Sequence, residues 1–290
     1  MQIGIIGAGA IGLLFSFYLS KTHRVTVYTR TADQAELINT NGIELVTGEK
    51  VENQLVQAKP FEEWTGEEDL AIVTVKQYQL PALFSKFDGT SSLLFLQNGM
   101  GHLKYLSKII ARNIFVGTVE HGATRTTQNT VAHNGRGMTK CAVFRGEATV
   151  LRELVDSTTD EFSMSLENDY LEILQAKLIV NAIINPLTAA FQVNNGSLVD
   201  NPYFYRIVES MFREVSAVLN LQLPERQFAN VVSVCENTAS NRSSMLKDLE
   251  EGRKTEIDAI LGYLLEEAES NQVEVPLIRN YYDVIKGKEL

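Results

Sequence analysis

The sequence predicts an α/β protein in which a doubly wound parallel sheet is followed by an all-helical region. Short, wholly apolar runs such as Leu70–Val75 and Leu93–Leu96 are typical of strands buried on both faces of a parallel sheet. These runs alternate with helical stretches, as crossover connections require. Beyond residue 168 only helical periodicity remains, so we predict two domains, 1–166 and 167–290.

The N-terminal elements follow in order from composition and periodicity. Apolar or β-branched strands are predicted at Ile3–Ile6, Arg24–Tyr28, Leu70–Val75 and Leu93–Leu96, with helices at Ala10–Ser20 and Asp33–Asn41. Three later runs, separated by Asn-Gly and glycine-rich turns, predict an antiparallel edge: Ile114–Glu120, Thr130–His133 and Thr139–Phe144. The C-terminal helices are predicted at Asp169–Phe191, Tyr203–Leu219, Glu225–Cys235, Ser243–Glu250 and Thr255–Glu269.

Composition narrows the function classes. Thirty-six acidic against 26 basic side chains give a net charge of −10, which disfavours nucleic acid and anionic membrane surfaces as partners. Two cysteines and four histidines without tight spacing predict no metal site. The apolar N-terminus lacks a basic leader, and no uninterrupted apolar run approaches the ~20 residues of a membrane span. We therefore expect a cytoplasmic protein.

A glycine-rich loop follows the first predicted strand. Its residues fit G-x-G-x-x-G: Gly7, Ala8, Gly9, Ala10, Ile11 and Gly12. The string alone is weak, but here a strand precedes it and a helix follows, as in Rossmann-like dinucleotide-binding domains. We expect Gly7 to allow the tight turn, Gly9 to admit a pyrophosphate and Gly12 to allow close packing. The alternative is a tight turn that binds no ligand.

Arg30 predicts which dinucleotide binds. An acidic residue usually ends the second strand where the ribose 2′-hydroxyl is free, but here Tyr28 and Thr29 are followed by Arg30. A guanidinium binds a 2′-phosphate through its planar fork, so we predict NADPH as the cofactor. The alternative is a solvated surface arginine.

Two later strands run into polar residues. Lys76 and Gln79 follow the LAIVTV run, and Asn98 follows the LLFL run. Ligands of doubly wound sheets bind beyond the carboxyl ends of the strands, so these three side chains are candidates to line the cleft. Each could equally be a solvated strand end.

A polar stripe crosses an otherwise apolar helix. Lys177, Asn181 and Asn185 are spaced by four residues, so they drift only about 40° per step and share one face. A lysine and two amides in such a helix are costly unless they face a polar cavity or are fully paired. The stripe therefore predicts a functional cleft, and Pro186 predicts a kink beside it.

A second polar group lies near the C-terminus. Ser244 precedes a short predicted helix, and Glu256 opens the next one. Either residue could serve the chemistry. The alternative is structural, with Ser244 as a helix cap and Glu256 as a favourable charge in a first turn.

Taken in order, these motifs resemble the ketopantoate reductase family across nearly the whole chain. The most specific matches are the Lys177–Asn181–Asn185–Pro186 stripe and the Ser243-Ser244-Met245 and Thr255-Glu256-Ile257-Asp258 blocks. One departure is Gln128-Asn129, where the family often has a Pro-Gly turn. Because asparagine tolerates the left-handed conformation, we expect the following hairpin to form.

The resemblance implies an NADPH-dependent reductase of 2-dehydropantoate in pantothenate and coenzyme A biosynthesis. It implies that Lys177 is the general acid and that Glu256 binds the substrate's oxygen substituents. It assigns Arg30, Lys76 and Gln79 to the cofactor, with Lys76 beside the reaction centre. The remaining residues would position substrate, the nicotinamide or both: Asn98, Asn181, Asn185, Asn195 and Ser244.

Two alternatives stay open at this point. The chain could reduce a related 2-oxo acid, or it could be a nonenzymatic NADPH-binding regulatory protein. The second alternative explains the glycine loop and Arg30 but gives no reason for Lys177 and Glu256. Besides the cofactor, we expect a small-molecule 2-oxo acid as partner and a monomer or homodimer as the assembly.

Overall fold

The structure is a computed structural model that describes all 290 residues. The chain divides into two compact units, of which the first comprises Met1–Gln97 and Leu103–Ile173 and the second Asn98–His102 and Leu174–Leu290. The division into domains 1–166 and 167–290 stays a prediction about folding domains.

The first unit holds every strand of the protein. In chain order they are β1 (Gln2–Ile6), β2 (Arg24–Thr29), β3 (Ile43–Thr47), β4 (Lys50–Gln54), β5 (Gln57–Pro60), β6 (Leu70–Val73), β7 (Ser92–Phe95), β8 (Asn113–Val119), β9 (Gly122–Arg125), β10 (Thr130–Gly135), β11 (Met138–Arg145) and β12 (Ser163–Glu167). The helices of this unit are α1 (Ala10–Leu19), α2 (Ala32–Asn41), α3 (Leu103–Leu106) and α4 (Thr149–Asp156), with 3-10 turns at Phe61–Glu63, Gln77–Ala82 and Phe84–Lys86.

Eight strands form the main sheet, in the order β12-β11-β8-β7-β6-β1-β2-β5. The strands from β8 to β5 are parallel to their neighbours, and β1 lies between β2 and β6. The chain therefore winds outward from β1 in both directions, which confirms the predicted doubly wound sheet. The antiparallel pairing of β8 with β11 confirms part of the predicted edge.

A second, four-stranded sheet has the order β4-β3-β10-β9. In it, β10 pairs parallel with β3 and antiparallel with β9. Thr130–His133, predicted to form one antiparallel edge together with Ile114–Glu120 and Thr139–Phe144, therefore lies in a different sheet from those two strands. Pairing with β3 and β9 satisfies the backbone of this segment in the second sheet. Gln128-Asn129 lie in the turn between β9 and β10, and Asn129 does not take the left-handed conformation that was expected of it.

Helix α1 lies between the two sheets. It packs on β1 and β2 of the main sheet and on β3, β9 and β10 of the second. Every residue from Gly12 to Leu19 is buried, which accounts for a helix that is apolar on all sides. The second sheet thus covers the outer face of the helix that begins at the glycine loop.

Buried imidazoles are found in both units. In the first, His133 lies on β10 with its Nδ1 3.0 Å from the Tyr18 hydroxyl and its Nε2 3.3 Å from His121 Nδ1. In the second, His102 is fully buried and neither ring nitrogen has a hydrogen-bond partner. Burial lowers the pKa of both His102 and His121 to about 4, from 6.5.

These histidines predict a loss of stability in mild acid. The unfolded chain takes up protons near pH 6.5, while the folded protein keeps both rings neutral until about pH 4. The free energy of unfolding should therefore fall progressively as the pH drops from 6.5 to 4. Urea-unfolding midpoints across this range measure the slope. His102→Phe should flatten it, and a profile that is flat already in the wild type contradicts the prediction.

The second unit is helical. Its elements are α5 (Tyr170–Phe191, which begins in the first unit), α6 (Ser197–Asp200), α7 (Pro202–Leu219), α8 (Pro224–Asn237), α9 (Ser244–Glu250), a π-helical turn (Asp258–Gly262), α10 (Tyr263–Asn271) and α11 (Pro276–Lys288). Helix α5 continues through Pro186 to Phe191. By length and composition α5 could cross a membrane, but 67% of its most apolar window is buried inside the protein, as in the core helix of a soluble protein.

Candidate functional site

The glycine loop joins β1 to α1 in a conformation that needs its glycines. Gly7 has a φ of 108°, which L side chains rarely adopt. A Cβ on Gly12 would overlap the Gly7 carbonyl oxygen, whereas a Cβ on Gly9 would meet nothing within 4 Å. Gly12 therefore closes the turn against its own loop, and the backbone at Gly9 is left open to a ligand at the N-terminus of α1.

Side chains that sequence reasoning missed hold this loop in place. The Thr74 hydroxyl, just beyond β6, donates to the Gly7 carbonyl at 2.8 Å. The Ala8 carbonyl accepts from Gln34 Nε2 at 3.1 Å and from Arg125 Nη1 at 3.3 Å. The position of Thr74 directly after a buried strand could have predicted from the sequence that its hydroxyl lies near the glycine loop. Gln34 and Arg125 gave no such signal, because their positions depend on tertiary contacts.

Arg30 stands at the end of β2, between two threonines that fix the backbone. The Thr29 hydroxyl donates to the Thr31 carbonyl at 2.8 Å, and the Thr31 hydroxyl caps α2 by accepting from Gln34 N–H. The Arg30 side chain is exposed, and no hydrogen bond or ion pair holds its guanidinium. All of its donors are available to an anion.

Lys76 and Gln79 lie beyond β6, at the 3-10 turn that starts with Gln77. The Lys76 N–H donates to Gln79 Oε1 at 3.1 Å, which fixes the Gln79 amide and leaves its NH₂ group for a ligand. Because β6, β1 and β2 are parallel neighbours, their carboxyl ends share one edge of the sheet. The structure thus brings Lys76, Gln79, Arg30 and the glycine loop to the same edge.

In the second unit, α5 carries the polar stripe. Lys177 and Asn181 are half-buried, and Asn185 is buried. The residues that follow each of the first two, Leu178 and Ala182, are fully buried. The stripe is therefore the polar face of a core helix, and Lys177 is partly withdrawn from water.

Asn98 and Glu256 form a direct pair within the second unit. Asn98 Nδ2 donates to Glu256 Oε2 at 2.9 Å. Next to Asn98, Gly99 has a φ of 77° and packs so closely on Ala259 that a Cβ would overlap the Ala259 carbonyl oxygen. The predicted helix from Thr255 begins instead at Ile257, with a π-helical turn, and such turns are frequent at functional sites.

Asn195 and Ser244 lie near the turn before α9. Asn195 Nδ2 donates to the Thr238 hydroxyl at 2.8 Å, and its Oδ1 is buried without a hydrogen-bond partner. Ser243, not Ser244, caps α9, since its hydroxyl accepts from Leu246 N–H at 3.1 Å. The interpretation of Ser244 as a cap is therefore wrong. Ser244 is exposed at the first residue of the helix, and its role in substrate binding stays a prediction.

The candidate residues thus fall into two sets, one on each unit. No group of three or more His, Cys, Asp or Glu side chains is placed to hold a metal ion. The dinucleotide-type loop belongs to the first unit, and the ammonium, amide and carboxylate groups to the second.

Comparison with known proteins shows which protein family the chain is similar to. A family model described as ketopantoate reductase PanE/ApbA matches residues 3–146, and one described as ketopantoate reductase PanE/ApbA C terminal matches residues 169–289. The 2-dehydropantoate 2-reductase of Bacillus subtilis (strain 168) is 42% identical, over 100% of this chain and 98% of its own length. That of Listeria innocua is 38% identical, over 100% and 97%.

Solved structures agree with this placement. The crystal structure of a probable 2-dehydropantoate 2-reductase from Bacillus subtilis superposes with a TM-score of 0.92 at 41% identity, covering 99% of this chain and 100% of that one. A D-mandelate dehydrogenase with NADH and anilino(oxo)acetate shares the fold, with a TM-score of 0.90 at 23% identity, covering 100% of this chain and 98% of its own. With both halves of the sequence matched, the chain belongs to the ketopantoate reductase family.

Proposed function

We propose that this protein reduces 2-dehydropantoate (ketopantoate) to pantoate with NADPH, a step of pantothenate and coenzyme A biosynthesis. The observation that carries the proposal is the 42% identity to the Bacillus subtilis reductase over the whole chain. The proposal includes a cytoplasmic location, a small 2-oxo acid as the substrate, and a monomer or homodimer as the assembly.

The edge of the main sheet fits a phosphorylated dinucleotide. The open backbone at Gly9 and the N-terminus of α1 suit a pyrophosphate, and the unpaired Arg30 guanidinium suits a 2′-phosphate. Lys76 and Gln79 lie at the same edge, within the reach of a cofactor bound there. When bound, the dinucleotide supplies the hydride for the C2 carbonyl carbon of the substrate.

Lys177 completes the reduction by proton transfer. As hydride reaches C2, negative charge develops on the carbonyl oxygen. The Lys177 ammonium stabilises this charge and then donates a proton from Nζ to the oxygen, giving the hydroxyl of pantoate. Its other donors can bridge to Asn181 and Asn185, which lie one and two turns further along the same face of α5.

Glu256 and the remaining amides bind the substrate in this proposal. Glu256 accepts a hydrogen bond from the substrate's hydroxyl group, while Asn98 donates to one carboxylate oxygen of Glu256 and holds that side chain in place. The unpartnered Asn195 Oδ1 is a second buried acceptor for a hydroxyl. Ser244 donates to the substrate carboxylate, for which a compact neutral donor is suited.

An absorbance assay tests the function. Purified protein should oxidise NADPH on addition of 2-dehydropantoate, and more slowly oxidise NADH. Faster turnover of another 2-oxo acid in a substrate panel favours the related-reductase alternative. NADPH binding without oxidation by any 2-oxo acid favours the regulatory alternative and contradicts the proposal.

Arg30→Ala tests the preference for NADPH. Loss of the guanidinium removes charge-assisted hydrogen bonds to the 2′-phosphate, so KM for NADPH should rise about 10- to 100-fold while KM for NADH stays unchanged. Steady-state kinetics with both cofactors measure the ratio. Arg24→Ala is the matched control, because Arg24 is an exposed arginine at the opposite end of β2. Unchanged discrimination in Arg30→Ala refutes the assignment.

A further inference from the structure

We propose that Arg125, on β9 of the second sheet, is a further phosphate-binding residue for the nicotinamide dinucleotide. This inference rests on the proposed function, because it takes the glycine loop as the place where the phosphates dock. It gives the second sheet a role in cofactor binding besides covering α1.

The first argument is position. Arg125 Nη1 donates to the carbonyl of Ala8, which lies between Gly7 and Gly9. Gln34 Nε2 donates both to the same carbonyl and to the Gln128 carbonyl, at 2.7 Å, in the turn between β9 and β10. The hairpin that carries Arg125 is therefore attached to the glycine loop by side chains from two directions, and the guanidinium lies against the loop.

The second argument is unused hydrogen-bonding capacity. A guanidinium has five N–H donors, and the bond to Ala8 uses one of them. Arg125 is exposed and has no acidic partner, so its charge is not neutralised within the protein. The planar fork can bind the Ala8 carbonyl on one side and a phosphate oxygen on the other.

The third argument is the charge of the surroundings. The loop itself, GAGAIG, has no cationic side chain, and the protein carries a net charge of −10. Backbone N–H groups and the partial positive charge of the α1 N-terminus are thus the loop's only intrinsic attraction for phosphate. Arg125 adds a full positive charge beside it.

Two phosphates of the same cofactor could accept from Arg125. The pyrophosphate is common to NADPH and NADH, whereas the 2′-phosphate occurs only in NADPH. In both cases the group that Arg125 would bind is a phosphate oxygen. Comparing the affinities for NADPH and NADH shows which of the two phosphates it is.

The experiment compares Arg125→Met and Arg125→Lys with the wild-type full-length protein. Dissociation constants for NADPH and NADH are measured by calorimetry at several KCl concentrations, together with kcat and both KM values. We expect Arg125→Met to weaken NADPH binding about 10- to 100-fold, with kcat at saturating NADPH and KM for 2-dehydropantoate nearly unchanged. Arg125→Lys should recover part of the affinity.

Arg112→Met is the matched control. Arg112 is an exposed arginine immediately before β8, at the amino-terminal edge of the main sheet, whereas the glycine loop follows the carboxyl end of β1. Its loss therefore changes the net charge equally but away from the loop. Affinity in Arg112→Met should stay at the wild-type value. If it falls as in Arg125→Met, the effect is one of net charge and the inference is overturned.

The affinities of Arg125→Met for the two cofactors show which phosphate Arg125 binds. Weaker binding of both cofactors assigns Arg125 to the pyrophosphate, and weaker binding of NADPH alone assigns it to the 2′-phosphate. A phosphate contact also requires that the affinity of Arg125→Met depend less steeply on KCl than that of the wild type. Wild-type affinity, or an unchanged salt dependence, overturns the inference. A wild-type protein that neither binds NADPH nor reduces 2-dehydropantoate instead overturns the proposed function.

Discussion

Replacing Lys177 with alanine should lower the turnover of 2-dehydropantoate by about 10²- to 10⁴-fold, the usual effect of losing a general acid. The side chain is half-buried on a core helix, and alanine at this position supplies neither a positive charge nor a proton. The developing alkoxide would then lack both its stabilising charge and its proton donor. Single-turnover and steady-state rates with NADPH measure the loss.

The affinity for NADPH should change far less than turnover in Lys177→Ala, because the cofactor loop belongs to the first unit. Lys288→Ala is the matched control, since Lys288 is an exposed lysine near the end of α11. Turnover close to that of the wild type in Lys177→Ala would remove Lys177 from the proposed mechanism.

Gly99→Ala should be the most damaging small substitution in the second unit. A Cβ there would overlap the Ala259 carbonyl oxygen, and alanine also disfavours the φ of 77°. Overpacking and backbone strain together should lower the free energy of unfolding by about 2–4 kcal/mol. Displacement of the neighbouring Asn98 from Glu256 should lower kcat/KM about 10²-fold, as expected for a small misplacement of binding groups.

Gly252→Ala separates the two causes. Gly252 also has a positive φ, of 62°, but an added Cβ would meet nothing within 4 Å. It should cost only about 1 kcal/mol and leave kcat/KM unchanged. Urea unfolding and steady-state kinetics of both variants make the comparison. Equal costs in the two would show that contact with Ala259 does not constrain the site.

The main sheet was predictable because its central strands are buried on both faces. β6 and β7 leave continuous apolar runs in the sequence, as strands covered on both faces do. β3 and β4 leave no such signal, because charged residues such as Glu44, Lys50 and Glu52 face outward from them. Their sheet also depends on pairing Glu44 with Thr130, which no local pattern reveals.

The candidate site was predictable to a similar degree. Gly7, Arg30 and Lys177 stand out because each is unusual for its local element. The contacts that support them do not stand out. Thr74 and Gln34 are ordinary residues on a strand end and a helix, and only the fold brings them to the glycine loop. The Asn98–Glu256 pair joins segments 158 residues apart, so its distance could come only from the structure.

The burial of α1 between two sheets has a consequence for synthesis on the ribosome. The helix ends at Leu19, but β10, which covers it, is complete only at Gly135. While the intervening residues are being synthesised, apolar side chains of α1 that β9 and β10 bury in the folded protein remain exposed to solvent. Transiently exposed apolar surface of this kind favours aggregation of partly folded chains. The β9–β10 hairpin therefore removes an aggregation-prone surface when it packs on α1.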